Sequence, residues 1–443
     1  MPEKVDIHLT TASSQIVYAP IRFKKNDIKR IAYGTKMVPC QIRFHEKPTL
    51  LISQDLATAL SFPKSKVTLH LFVKDHVLYI GPLVGIFTAG FTSSMLRPVA
   101  QRSLFFAKLL TSAKEKGCSA FIFRHSDLDF TEGTVTGYFY GRNGWIKHKV
   151  PFPNVIYDRL PNRKIEKDNT LLKVKEKLQK EYDIPWFNPT FFNKWDTYQS
   201  LGNLESRWLL PTRLFSTPSD LKVMLSSYGH VYVKPIHGSL GKGMFVIEAT
   251  SEGYHCESKD LGQNKVFSSF QKLINFLKKH KLTQPYIIQK KMSLLSYNNS
   301  PFDFRVHTNR NEDGKWEVTA IAIKVSGEDA ITTHLRNGGY VKRLEDVFKD
   351  RAKEVEKKIT EAALTLSKHL QKTLDGTIGE IGFDFGMDTN EELYLFEANS
   401  RPGRSIFKYP ILHEQDVKTR QMPYAFAIFL MKESLKRTEA VIL

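Results

Sequence analysis

The stretch 379–403, GEIGFDFGMDTNEELYLFEANSRPG, constrains the chain more than any other. It reads as a strand, a turn at 388–392 and a second strand. Phe383, Phe385, Leu395 and Phe396 make it too apolar for an exposed hairpin. Alternation along a strand puts Glu397 and Asn399 on one face. Facing residues of an antiparallel hairpin keep a constant index sum. Closure at Met387 and Glu392, or at Asp388 and Leu393, gives an odd sum, so Asp384 shares a face with Glu397 on a diagonal of roughly 7–8 Å. Two carboxylates on a buried face are costly without a cation. With the Asn399 amide oxygen they form a hard-oxygen set suited to Mg²⁺. The alternative, a solvated acidic face, sits poorly with the aromatic neighbours.

The second informative stretch is 231–248, VYVKPIHGSLGKGMFVIE. Two β-type runs flank a loop holding Gly238, Ser239, Gly241, Lys242 and Gly243. Glycines permit backbone conformations that aim several N–H groups at one point. With Lys234 and Lys242 nearby, such a loop makes a phosphate cradle. It is not a P-loop, because the G-x-x-x-x-G-K-[ST] spacing is absent, and it is not a dinucleotide fingerprint, because a strand follows rather than a helix. A plain glycine-rich hairpin tip is the alternative.

Weaker pieces lie between these two. Residues 286–292 form an apolar strand running into a polar connection, where Gln289 and backbone groups can meet a purine edge; an ordinary strand end is the alternative. Residues 302–307 alternate strictly, so Asp303 and Arg305 share a face; Arg305 can grip phosphate oxygens bidentately or form a surface ion pair with Asp303. Lys324 interrupts an apolar strand, and a buried lysine there needs an anion; an exposed strand end is the alternative. Asn337-Gly338-Gly339 reads as a flexible turn.

The organisation is α+β. Residues 1–80 read as short strands, with a hairpin across Lys74-Asp75-His76. Strands follow at 83–87, 121–124 and 155–160, with a helix over 99–116 presenting Val99, Leu104, Phe105, Leu109 and Leu110. A hairpin is expected across Gly141 to Gly144. Further helices are expected over 164–180, from the Thr217-Pro218-Ser219-Asp220 start to Gly229, and near 266–281 and 348–373. The 443 residues carry a formal charge of +19, which favours anionic partners. The lysines are interleaved with glutamates on helices, as on solvated faces, so a nucleic-acid partner is not expected. Cys40, Cys118 and Cys256 lie too far apart for a zinc motif. No apolar run approaches the ~20 residues of a membrane span, and the first ten residues lack a signal-peptide core.

In order, these pieces are Lys-Pro with a glycine loop, Gln at a strand end, Asp-x-Arg, a strand Lys, Asn-Gly-Gly, then Asp and Glu-x-Asn. That order resembles the ATP-grasp superfamily of carboxylate–amine ligases, and within it the YheC/YheD family, described as endospore coat-associated. GPLVGIFT at 81–88, FPNVIYDR at 152–159, FNKW at 192–195 and LPT at 210–212 carry the narrower match. The resemblance spans roughly residues 80–410. It implies an ATP-grasp fold of two α+β subdomains over 166–443, preceded by an α/β pre-ATP-grasp domain over 81–165 and a small β-rich domain over 1–80. It implies ATP and Mg²⁺ as cofactors. Lys194, Lys234 and the Gly238–Gly243 loop would hold the phosphates; Gln289, Lys290 and the backbone near Met292 the adenine; Asp384, Glu397 and Asn399 the Mg²⁺. Arg305 and Lys324 would stabilise the transferring phosphoryl group, with Arg401 beside the metal and the substrate carboxylate. Residues 293–300 carry no acid where many relatives bind the ribose hydroxyls. The expected reaction joins a carboxylate and an amine through an acyl phosphate. The charge favours a polyanionic polymer or a coat protein among the partners, and the mother-cell cytoplasm or the spore coat is the expected location. The competing expectation is a structural coat protein that keeps the fold without chemistry.

Overall fold

Among the described residues, four sheets follow one another along the chain. The computed structural model describes residues 3–11, 15–63, 66–202, 206–238, 242–258, 262–280, 285–327 and 338–437. The first sheet draws its eight strands from between Glu3 and Gly81. Its Glu3–Thr10 strand pairs parallel with Thr49–Ser53 and antiparallel with Val67–Lys74. The expected hairpin forms between Val67–Lys74 and Val77–Gly81, with Lys74 opposite Val77. Its two turn residues, Asp75 and His76, both take positive φ (48° and 62°), the turn geometry whose twist matches that of paired strands.

The seven-stranded second sheet runs from Leu83 to Phe187. Leu83–Phe87 is buried at every position and lies parallel between Ser119–Phe123 and Val155–Asp158. An unbroken apolar run suits a strand covered on both faces. The helix Ser103–Glu115 and the C-terminal helix His413–Arg437 pack together on one of them: Phe106, Leu109, Tyr424 and Phe426 share a core with Val84 and Ile86. The first of these helices is shorter and rotated relative to expectation. A 3-10 turn occupies Ala100–Arg102, and Leu104 is 65% exposed. Leu104 and Phe106 stand about 200° apart on a helix, so only one can face the sheet. The ridge Phe106, Leu109, Leu110, Ala113 wins because it has the i, i+3, i+4, i+7 spacing. Residues 164–180 likewise form two helices rather than one, Arg163–Glu166 and Asn169–Lys180. The Asp168 side chain caps the second by accepting from the Thr170 and Leu171 amides.

The second sheet closes with Trp186–Phe187, beyond residue 165. One hydrophobic core joins Ile7, Ile52 and Ile80 to Leu83, Ile156, Leu171 and Trp186. Packing therefore runs across both 80/81 and 165/166, and the three-part division 1–80, 81–165 and 166–443 stands as a proposal about chain organisation.

In the third sheet, His230–Pro235 sits between Phe245–Thr250 and Tyr286–Lys290, all antiparallel. The helices Pro218–Tyr228 and Phe270–Lys279 cover one face, where Leu221, Leu225, Val231, Val233, Leu273 and Ile288 form the core. The first helix starts with the expected capping box between Thr217 and Asp220. The second starts only at Phe270, because Gln263–Phe267 is a strand. In the fourth sheet, Ser300–Arg310 lies between Trp316–Val325 and Glu380–Met387, with Leu393–Asn399 beyond. The helix Ala352–Thr373 buries Val355, Ile359 and Leu366 against Phe304, Ile323 and Phe383. A separate helix, Leu344–Phe348, precedes it. The third and fourth sheets thus each spend one face on helices, and their other faces meet in a cleft.

Candidate functional site

Alternation makes Arg305, Lys324, Asp384, Glu397 and Asn399 neighbours. Asp303 lies opposite Lys324, Arg305 opposite Asp384, and Asp384 opposite Glu397. Asn399 lies opposite Gly382, two residues from Asp384. All of these share the face away from Ala352–Thr373. The expected diagonal between Asp384 and Glu397 is corrected to a direct pair. The hairpin closes at Met387 and Leu393 with an even index sum, and a bulge between Asp384 and Phe385 then shifts the register. Phe396 is the extra residue. Its ring lies over Gly386, where an added Cβ would stand 2.1 Å from Cζ. Gly386 and Asp384 share a face by alternation, so Phe396 and Glu397, consecutive in sequence, both face the cleft. A β-bulge permits this where a regular strand does not.

The charges interlock. Lys324 is 7% exposed, and its Nζ lies 2.8 Å from both Asp303 Oδ1 and Asp384 Oδ1. Burial disfavours its charge, but the two carboxylates outweigh burial and hold its pKa above the ordinary lysine value. The exposed-strand-end alternative for this lysine is thereby excluded. Arg305 Nη2 pairs with Asp384 Oδ2 at 3.1 Å; the surface pair with Asp303 does not form, because Asp303 is taken by Lys324. From the opposite side, Lys194 Nζ reaches Glu397 Oε1 at 3.2 Å and donates to the Gly238 carbonyl at 2.9 Å. That single ammonium ties the glycine loop to the carboxylate face.

Lys234 and Gln289 project from the third sheet into the same cleft. Lys234 Nζ donates to Gln289 Oε1 at 2.7 Å and lies 6.0 Å from the Phe396 ring centroid. Burial pushes the Lys234 ammonium down to about 8; Glu397 and Asp384 pull against this, and Lys194 adds to it. Gln289, 5% exposed, is fixed by donating Nε2 to the Thr212 hydroxyl at 3.1 Å. Between the sheets a narrow cleft is walled by Ile287, Gln289, Leu210, Phe396, Glu397 and Tyr198, among others. Its apolar walls and polar rim suit a flat heterocycle.

Other expected residues sit apart from this group. Lys290 alternates to the helix side of its strand, with Nζ 5.5 Å from the Tyr228 ring centroid; its backbone amide donates to the Pro211 carbonyl. Met292, half-buried, lies just past the strand end. Lys242 is exposed and Gly243 has φ 70°, while Ser239, Gly241 and Asn337 lie outside the described residues. Arg401 is not brought to the carboxylates of the cleft. Its guanidinium is buried between Asp158 Oδ1 and Glu166 Oε1, both at 2.9 Å, and stacks on Phe191. Sequence reasoning missed Thr212 as the support of Gln289, and gave Asp303 no role as the partner of Lys324. Strict alternation of Asp303 and Arg305 was the available signal for the second.

Among the described residues no three His, Cys, Asp or Glu side chains cluster for a metal. The donors at hand are the Asp384 and Glu397 carboxylates and the Asn399 amide, a hard-oxygen set that fits Mg²⁺ sharing its shell with phosphates. Among the described residues no helix is long and apolar enough to cross a membrane.

The YheC/D-like ATP-grasp family profile matches residues 183–430. The endospore coat-associated protein YheD of Bacillus subtilis (strain 168) is 43% identical, with 99% of each chain covered. The endospore coat-associated protein YheC of the same strain is 23% identical over 72% of this chain and 89% of its own. Among solved structures, the VanG D-Ala:D-Ser ligase from Enterococcus faecalis overlays with a TM-score of 0.48 at 13% identity, covering 79% of this chain and 99% of that one. The fold is α+β ATP-grasp, and the chain belongs to the YheC/D-like ATP-grasp family.

Proposed function

We propose that the chain is an ATP-dependent ligase that activates a carboxylate as an acyl phosphate and passes it to an amine or related nucleophile. The observation that carries this reading is the convergence of Lys194, Lys234, Lys324 and Arg305 on Asp384 and Glu397 across one cleft. Lys194, Lys324 and Arg305 have carboxylate partners while Lys234 rests on the Gln289 amide, and a polyphosphate with its cation would exchange those partners for new ones. Asp384, Glu397 and Asn399 would hold Mg²⁺, which would supply charge neutralisation at the phosphates. Phe396, Ile287 and Gln289 would seat the base, with the backbone at Lys290 and Met292 on its edge.

The chemistry needs positioning and charge compensation, because a carboxylate must approach a triphosphate. The carboxylate oxygen bonds to the γ-phosphorus as the bond to the β-phosphate oxygen breaks, and ADP leaves with that electron pair. The nucleophile then bonds to the acyl carbon, phosphate leaves, and the amine gives up a proton. Arg305 and Lys324 hold the equatorial oxygens.

A structural role in the spore coat is the second reading, favoured by the name of the 43% identical relative. The test is calorimetric titration with a non-hydrolysable ATP analogue, with and without Mg²⁺, followed by ADP release in the presence of carboxylate and amine pools. Mg²⁺-dependent binding and substrate-dependent ADP release support the ligase. Absence of binding at millimolar nucleotide overturns it and favours the structural role.

A further inference from the structure

A second, larger cavity of about 490 Å³ opens between the helix Ser103–Glu115, the segment following Val155–Asp158 and the start of the C-terminal helix. Five arginines line it: Arg102, Arg159, Arg401, Arg404 and Arg420. Lys108 and Lys408, both exposed, line it too, and among the described residues Asp416 is its single lining carboxylate. Four of the arginines already have acidic partners. Arg159 and Arg404 share Glu380, at 2.9 and 2.6 Å. Arg401 takes Asp158 and Glu166, and Arg420 takes Asp416. Arg102 instead donates to the Thr88 hydroxyl and the Ala89 carbonyl. No carboxylate of the described residues pairs with Arg102, Lys108 or Lys408. The cavity wall therefore carries three positive charges in excess. Phe105 and Phe191 give it apolar footing.

The cavity adjoins the phosphate cleft through one strand. Glu380, behind Arg159 and Arg404, lies on the same strand face as Asp384, four residues away, which is about 13 Å at the usual rise of ~3.3 Å per residue. Backbone of about three residues plus the reach of its side chains covers a spacing of that order.

Resting on the nucleotide-site reading above, we propose that this cavity takes the carboxylate substrate and selects one bearing at least two further negative charges, a short polycarboxylate of di- to tripeptide size. Excess cationic side chains in a half-enclosed cavity focus the field on an anion, and guanidinium groups bind carboxylates bidentately. A neutral acid would leave the three cations uncompensated.

The probes are α-linked mono-, di- and triglutamate, with trialanine and inorganic phosphate as controls. They are titrated into the full chain with the Mg²⁺ complex of a non-hydrolysable ATP analogue present. Affinity is expected to rise with each carboxylate, and triglutamate to bind at least about 30-fold tighter than trialanine. Lys108→Gln with Lys408→Gln, both exposed sites, should weaken triglutamate about fivefold, and Arg102→Gln about tenfold or more. Nucleotide affinity should not change in either variant. Equal binding of triglutamate and trialanine, or saturation by phosphate alone, overturns the polyanion proposal while leaving the nucleotide site standing. Triglutamate binding in a chain that takes no nucleotide supports the cavity and removes the ligase reading.

Discussion

Lys234 sits in the cleft with its ammonium donated to Gln289 and its pKa pushed down to about 8 by burial. Phosphates arriving beside it would return the pKa toward the ordinary lysine value of about 10.4. Binding should then take up a proton. At pH 7 the free lysine is already about nine-tenths protonated and uptake is about 0.1 proton; at pH 8 it is about 0.5, and at pH 9 about 0.9. Nucleotide affinity should accordingly fall by about sevenfold for each pH unit between about 8.5 and 10. The sign for folding is opposite. The folded pKa is depressed, so between about 8 and 10.4 the unfolded chain holds a proton that the folded chain has lost, and ligand-free stability gains from rising pH in that window. The assay is titration calorimetry at pH 9 with the Mg²⁺ complex of a non-hydrolysable ATP analogue, in two buffers of different ionisation enthalpy. Lys234→Arg keeps the charge at every pH and should abolish the uptake. Tight binding at pH 9 with no buffer dependence in the unaltered protein would refute the argument, because it would leave Lys234 either already charged or remote from the phosphates.

Three further outcomes are expected. Glu397→Gln should lower ADP formation at least about 100-fold while thermal unfolding shifts little; full turnover would show the cation to be held elsewhere. Arg401→Met leaves Asp158 and Glu166 without their shared guanidinium and should cost about 3–5 kcal/mol of stability, measured by urea unfolding; an unchanged midpoint would mean that those pairs hold nothing together. Lys324→Met leaves Asp303 without its ammonium and Asp384 with Arg305 alone, and should destabilise by a similar ~3 kcal/mol, with Asp303→Asn in the same chain restoring part of the loss; absence of any rescue would count against the shared ion pair.

The elements that showed in the sequence are those whose cause is local. The Asp75-His76 turn and the Thr217–Asp220 cap are fixed by a few adjacent residues. The cleft residues were legible because alternation fixes a face from sequence alone. What was hidden depends on distant partners. Leu104 and Phe106 compete for one sheet, and Phe106 wins with the ridge of Leu109, Leu110 and Ala113 that Val84 and Ile86 receive. Asp168 breaks the 164–180 helix as a cap only because the chain has to turn there. Arg401 follows Asn399 by two residues, yet its partners Asp158 and Glu166 lie more than 200 positions upstream. The diagonal expected for Asp384 and Glu397 failed because a one-residue bulge cannot be read from an index sum.

That bulge also bears on how far the hairpin can vary. Phe396 and Glu397 occupy one face through an extra residue that the Asp384 strand does not match. Remove either residue and the ladder becomes regular, but the cleft keeps only the ring or only the acid. Insert one upstream of Asn399 and the amide swings to the helix side. The turn at 388–392 stands outside this arithmetic, since register is reset at the bulge beyond it. Length changes should therefore be tolerated at the tip of this hairpin and nowhere along its arms.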